Sequence, residues 1–577
     1  MYETMTAQGR NTFSAGPAPG HKRDLLREGS FKPPPVLSAE DESLQDVKKI
    51  SPTLQQPQSA ITSSPLPPDF MLIKRKWHYL EGVFLESNAE PRQGMAESVV
   101  EFRFANYFQD EMVLQRGEPG SEIWGFGEVG QNVVVTFAGQ TLAASVNGSG
   151  VWGVRLPSME AGGPYEISAS SSMKNLTVDI KIESVLFGDV WLCSGQSNME
   201  FSVEWMFNGS QEVRGASSYP TIRFIEIMQS RSHVPLKEPL IRQEWSSPDS
   251  DKLKEFSGIC WAFGRRLQER LHIPIGLIGA YYGNSPIKAW SSSEVMDDCR
   301  DHTGNTDWNY GLGGAKGDRT VLWNAMIAAL LPLEIKGVLW YQGESDANVN
   351  FVGFLCMFPV MIKSWRTHFR RPNLPFGFVQ LACRDDEPGI ATPEIRWHQT
   401  ADLGVVPNEL LPNTFMAVAL DLSDPGAPLG QHHPRHKEEI AERLFFGALN
   451  VAYNIATPFQ GPSPASVRSS NGHATITFIN GPIILRSNLS SAFDVCCQGG
   501  ATAGTNFRWE DCPEWKPVTI ISTTDVDLTL DTSVCRQFTL QFIRYAWQTT
   551  PCPYLQCALY GADTALPAGP FVAPVTN

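Results

Sequence analysis

From Phe102 onward, apolar residues arrive in short bursts divided by Gly, Pro and Asn. Met112–Leu114, Ile123–Phe126 and Val133–Phe137 are β-type runs at close spacing, and they predict a small β-sandwich over residues 99–182. From Ser184 the rhythm becomes strand, loop, helix. Val185–Cys193, Ile273–Ala280, Ile335–Tyr341, Phe376–Leu381 and Phe415–Leu420 are the continuous apolar runs that a strand covered on both faces requires. Between them, Ser257–Leu271 repeats Ile259, Phe263, Leu267 and Leu271 on one helical face, and Thr320–Leu331 and Glu438–Tyr453 carry helical patterns. Five strands alternating with helices predict an α/β class, a parallel sheet with helices on both faces over residues 183–455. After about residue 456 only β-type runs remain (Thr475–Phe478, Val518–Ile521, Val526–Leu530, Phe538–Tyr545), so 456–577 is read as a C-terminal β module. Residues 1–98, with Pro33-Pro34-Pro35 and Pro65-Leu66-Pro67-Pro68, bury too little apolar surface to offset ordering entropy and are expected to be a disordered extension.

Length agrees with several domains, since 577 residues exceed one hydrophobic core. The formal net charge of -15 argues against nucleic acid and anionic membranes as partners. An anionic small substrate would need a local Arg or Lys to offset that field. No run approaches the length of a transmembrane helix, and Met1 to Lys48 shows no apolar signal core. The cysteines point the other way. Cys496, Cys497, Cys512, Cys535, Cys552 and Cys557 form an even cluster that suggests disulfides and an oxidising compartment, while their spacing lacks paired metal knuckles. Sequons at Asn147, Asn175, Asn208 and Asn488 agree with secretory passage. An atypical or incomplete N-terminus and a cytosolic form both stay open as explanations of the missing signal.

Ligands of open α/β sheets bind beyond the carboxyl ends of the strands. After the first strand comes Ser194-Gly195-Gln196-Ser197-Asn198-Met199, where Ser197 is either a helix cap or a nucleophile. After the second comes Gly283, whose N–H can face an oxyanion, and after the third Gln342, whose amide can do the same. After the fifth comes Gly430-Gln431-His432-His433-Pro434-Arg435-His436, which supplies a general base. Metal binding by these histidines is disfavoured by the adjacency of His432 and His433 and by Pro434, and no cofactor is expected. A Ser, a Gly, an amide and a His behind four strands of one sheet form a set that chance rarely supplies.

These blocks, with Gly188–Met199, Trp340–Ser345, His433–Lys437, Leu322–Ile327 and Arg396–Thr400, resemble the sialate O-acetylesterase family of SGNH hydrolases over residues 102–577. The resemblance implies removal of acetyl groups from sialic-acid hydroxyls, no metal, and lysosomal or secreted placement. It also implies Ser197 as nucleophile, His433 as base, and an oxyanion held by the N–H groups of Ser197 and Gly283 and the amide of Gln342. Three positions depart from the family pattern. Gly430 stands where many SGNH enzymes carry the triad Asp, leaving Asp421, Asp424 or a backbone carbonyl to orient His433. Asn284 and Lys288 alter the second block, and His436 replaces an acidic residue. Arg396 is a candidate clamp for the substrate carboxylate, with a structural ion pair as the rival account. An acetylesterase on another acetylated carbohydrate and a weakly active glycan-binding relative are the competing functions.

Overall fold

The computed structural model describes residues 101–173, 176–300, 318–348, 351–385, 391–487, 492–498 and 507–576. The expected extension 1–98 and the sequons Asn175 and Asn488 lie outside the described residues.

A mixed α/β body is built around a large sheet. Its strands run, edge to edge, Ile241–Ser246, Ile222–Ile227, Ile275–Tyr281, Leu176–Gly195, Gly337–Tyr341, Phe376–Gln380 and Thr414–Val418. All neighbours are parallel except Ile241–Ser246, which closes one edge antiparallel. Every residue of the strands Ile275–Tyr281, Gly337–Tyr341 and Phe376–Gln380 is buried, which explains why they read as unbroken apolar runs. Strand Ile222–Ile227 escaped the apolar criterion because Arg223 and Glu226 interrupt it. Glu226 is buried and paired with Arg242 of the edge strand at 2.5 Å, which offsets part of the cost of its burial.

Ser257 caps the helix Gly258–Leu271 by accepting from the Cys260 N–H, and Ile259, Phe263 and Leu267 are its buried stripe. The stretch 320–331 departs from a regular α-helix: Trp323–Ile327 form a wide π-type turn and Ala328–Leu330 a tight 3-10 turn, closed by Pro332. Helix Phe351–His368 carries Pro359 in its interior, a residue normally read as a helix breaker.

Upstream, antiparallel strands Asn132–Phe137, Gln140–Ser145 and Gly162–Met173 join the large sheet through Leu176–Gly195, with Arg103–Phe104, Glu122–Phe126 and Val151–Arg155 forming a separate three-stranded sheet. Leu176–Gly195 is a single strand, so the chain makes no break near residue 182, and one continuous core runs from Phe102 to Ala452. A second core gathers the antiparallel strands after Ser463 and includes Trp397, Val418 and Leu420. The tail cysteines pair as Cys496–Cys512, Cys497–Cys535 and Cys552–Cys557. Two further disulfides, Cys193–Cys260 and Cys299–Cys356, lie outside the tail, and Cys383 is a buried thiol. Among the described residues no helix is long and apolar enough to cross a membrane.

Candidate active site

The central strand ends at Gly195 with φ +137°, and a Cβ there would stand 2.2 Å from the Tyr341 carbonyl oxygen. A glycine is therefore needed for the two strand ends to lie this close. The Gln196 N–H donates to the same carbonyl at 2.9 Å, and the chain turns into the short helix Ser197–Glu200. Ser197 is buried at this turn.

His433 comes from the loop after strand Thr414–Val418. The Gly430 N–H donates to the Ala427 carbonyl at 3.1 Å and the His433 N–H to the Gly430 carbonyl at 2.9 Å, which folds the ring back over the sheet end. His433 Nε2 lies 2.8 Å from Ser197 Oγ. Its Nδ1 lies 2.9 Å from the Leu429 carbonyl oxygen. A carbonyl only accepts, so Nδ1 holds the proton and Nε2 offers its lone pair to the serine hydroxyl. Burial pushes the His433 pKa down to about 3, helped by the neighbouring His432 ring at 4.1 Å. The resting imidazole is thus neutral, with Nε2 unprotonated beside the serine hydroxyl.

Asn198 joins these two parts. Its amide nitrogen donates to Glu344 Oε1 at 2.5 Å and to the His432 carbonyl at 2.7 Å, and its oxygen accepts from Lys437 Nζ at 2.6 Å. All three side chains are buried. Lys437 also lies over the rings of Phe201 and Tyr341, and burial lowers its pKa to about 7. Glu344 has its pKa raised by desolvation, and its Oε2 has no hydrogen-bond partner among the described residues. One amide therefore spans a buried carboxylate and a buried ammonium, next in sequence to Ser197. Neither Asn198 nor Lys437 was assigned a role from sequence, although both stand inside the recognised blocks.

Several residues singled out from sequence are engaged by other groups of the protein. The Asp421 carboxylate is held by Arg443 through two hydrogen bonds and by the Tyr560 hydroxyl at 3.1 Å, while His433 Nδ1 faces the Leu429 carbonyl. Asp424 grips the Arg435 guanidinium through both oxygens and accepts the Arg435 N–H, so it fixes the histidine loop rather than the ring. Gln342 is not poised as an oxyanion donor. Its amide hydrogens go to the Ser285 carbonyl at 3.1 Å and to the Asp346 carboxylate. The Gly283 N–H donates to Glu200 Oε2 at 3.0 Å. Arg396 is fully buried, with its donors on the carbonyls of Leu381, Ala382, Gln548 and Thr549. Asn147 is exposed on a turn, whereas Asn208 is half-buried and donates to Glu212 at 3.1 Å.

Known proteins place this geometry. The family described as "Carbohydrate esterase, sialic acid-specific acetylesterase" matches residues 187–429, and the one described as "Sialate O-acetylesterase C-terminal domain" matches 463–575. The sialate O-acetylesterases of Pongo abelii and Homo sapiens are each 38% identical to the chain over 503 residues, covering 82% of it and 93% of the relative. A carbohydrate acetylesterase crystal structure from Xanthomonas citri superposes with a TM-score of 0.68 at 27% identity, covering 82% of this chain and 99% of that one. Likeness of this extent, over both the esterase blocks and the cysteine-rich tail, makes the chain a member of the sialate O-acetylesterase family and a carbohydrate esterase.

Proposed function

We propose that this esterase hydrolyses O-acetyl esters of sialic acids through an acyl-enzyme on Ser197. The observation that carries the reading is the 2.8 Å contact between Ser197 Oγ and a neutral, tautomer-fixed His433. His433 Nε2 takes the hydroxyl proton as Oγ attacks the acetyl carbonyl carbon. The oxyanion of the tetrahedral intermediate is received by the backbone N–H of Ser197, in the first turn of a helix where no earlier carbonyl claims it. Collapse breaks the ester C–O bond, and the departing sugar oxygen takes the proton from His433. Water, deprotonated by the same ring, then attacks the acetyl carbonyl carbon; the Oγ–C bond breaks, His433 returns the proton to Oγ, and acetate leaves. The site works as a dyad, with the Leu429 carbonyl doing the orienting that a triad carboxylate does elsewhere.

The names of the relatives, sialate O-acetylesterases matched over most of both chains, support this substrate. The Xanthomonas citri enzyme, named only as a carbohydrate acetylesterase, favours a second reading, the same chemistry on another acetylated sugar. The five disulfides support folding in an oxidising compartment, with exposed Asn147 as the better-placed glycan acceptor of the two described sequons. The test compares 9-O-acetylated sialic acid with an aryl acetate, using the wild type and Ser197→Ala. Acetate release from both, lost by at least about a thousandfold in the variant, is the expected result. Unchanged turnover by Ser197→Ala overturns the nucleophile, and turnover of the aryl acetate alone overturns the sugar.

A further inference from the structure

Arg396 is buried on four carbonyls, which leaves open how a protein of net charge -15 holds an anionic sugar. The other cations around the site are committed. Arg435 is clamped by Asp424 and lies over the Phe207 ring at 4.2 Å, and Arg443 is bound to Asp421. Lys437 is buried and donates to Asn198, and Lys288 is half-buried beside Asp346.

Arg384 differs from all of these. It follows strand Phe376–Gln380 at its carboxyl end, the end of the sheet at which Ser197 and Glu344 follow their own strands. It is half-exposed. Its Nη1 donates to the backbone carbonyl of Glu344 at 3.0 Å, the residue whose carboxylate holds Asn198 beside the nucleophile. Its backbone carbonyl accepts from the Thr550 hydroxyl, so both ends of the residue are anchored. No carboxylate of a described residue forms an ion pair with it, and the neighbouring Asp385 carboxylate is turned to Gly430 and His432. Its positive charge acts on both His432 and His433, each of which it makes harder to protonate.

We infer that Arg384 receives the carboxylate of a sugar acid whose acetyl ester lies at Ser197. The inference rests on the sialic-acid reading above. A guanidinium with one N–H anchored still presents a planar edge that fits a carboxylate with two parallel hydrogen bonds, and that fit separates an acidic sugar from a neutral one. The same placement accounts for how an acidic protein draws an acidic substrate to one point of its surface.

The test measures kcat/KM for 9-O-acetylated sialic acid and for its methyl ester, in which the carboxylate is neutralised. The wild type should prefer the free acid by about tenfold or more, the value of one charge-assisted pair. Arg384→Gln should bring that ratio to about one, and Arg384→Lys should keep part of it. The ratio is taken within each variant, so any loss of folded protein cancels. A wild-type ratio near one, or a wild-type ratio retained by Arg384→Gln, overturns the inference while leaving sialic acid as substrate. If neither sialic-acid form is cleaved but an acetylated neutral sugar is, the substrate reading itself fails.

Discussion

Asn198 ties the turn of Ser197 to the backbone beside His433, and so bears on the geometry of the proposed dyad. Replacing it with Ala would leave Glu344 and Lys437 buried without their shared partner, a loss of about 2–4 kcal/mol by the usual cost of stranding buried polar and charged groups. Turnover should fall at least about tenfold with KM changed much less, because the amide acts on the catalytic pair and not on the sugar. Equal loss of stability with an unchanged kcat per folded molecule would reduce Asn198 to a structural role. Asp421 is expected to behave in the opposite way. Asp421→Asn should destabilise by about 3–5 kcal/mol by weakening its hold on Arg443, while kcat per folded molecule stays the same.

His433 makes a third prediction at this scale. Its pKa is pushed from 6.5 to about 3, so NMR titration should find the ring still neutral at about pH 5. The sign for stability follows from proton counting. Between the two values the unfolded chain takes up a proton that the folded chain refuses, so stability falls as pH drops through that window. Ser197 and His433 were legible because each stands in a distinctive block at a strand end. The pairing of Asp421 with Arg443 and of Arg396 with backbone carbonyls is not legible, because a sequence gives residue types and order but not which of several partners lies nearest. Arg384 follows the fourth strand in a stretch, Cys383-Arg384-Asp385, that carries no distinctive motif.

At the level of elements, the alternation of strands and helices was readable wherever both faces of a strand are apolar. It failed at Ile222–Ile227, where a buried ion pair supplies what apolar residues supply elsewhere, and at Phe351–His368, where Pro359 hides a helix that packing sustains. The disulfide Cys193–Cys260 ties the strand that leads to Ser197 to the helix Gly258–Leu271 packed over it. It closes a loop of 67 residues, for which chain-entropy accounting gives about 4 kcal/mol. The double variant Cys193→Ala, Cys260→Ala should therefore unfold at lower denaturant, with the midpoint read by tryptophan fluorescence. A shift below about 1 kcal/mol would mean that packing alone holds the strand to the helix.

Across the whole molecule, the separate modules suggested by sequence are bound together more closely than their patterns imply. Leu176–Gly195 carries the upstream sheet directly into the esterase sheet. The C-terminal segment also contacts the site loops. Gln548 and Thr549 receive Arg396, Thr550 holds Arg384, and Leu555 and Tyr560 bind Asp421. Tyr554, between Cys552 and Cys557, stacks on His436 at 3.9 Å and donates to Glu439 at 2.7 Å. Tyr554→Ala should therefore lower activity although the residue lies far from Ser197 in sequence, and unaltered kcat and KM would show the contact to be incidental. These contacts also set an order of events during synthesis. A ribosome delivers the Ser197 turn hundreds of residues before Tyr560, so the nascent chain can hold a nucleophile long before its histidine loop is clamped. Competence to cleave an ester should then wait for these C-terminal contacts, and an active-site probe added to stalled chains would date that moment.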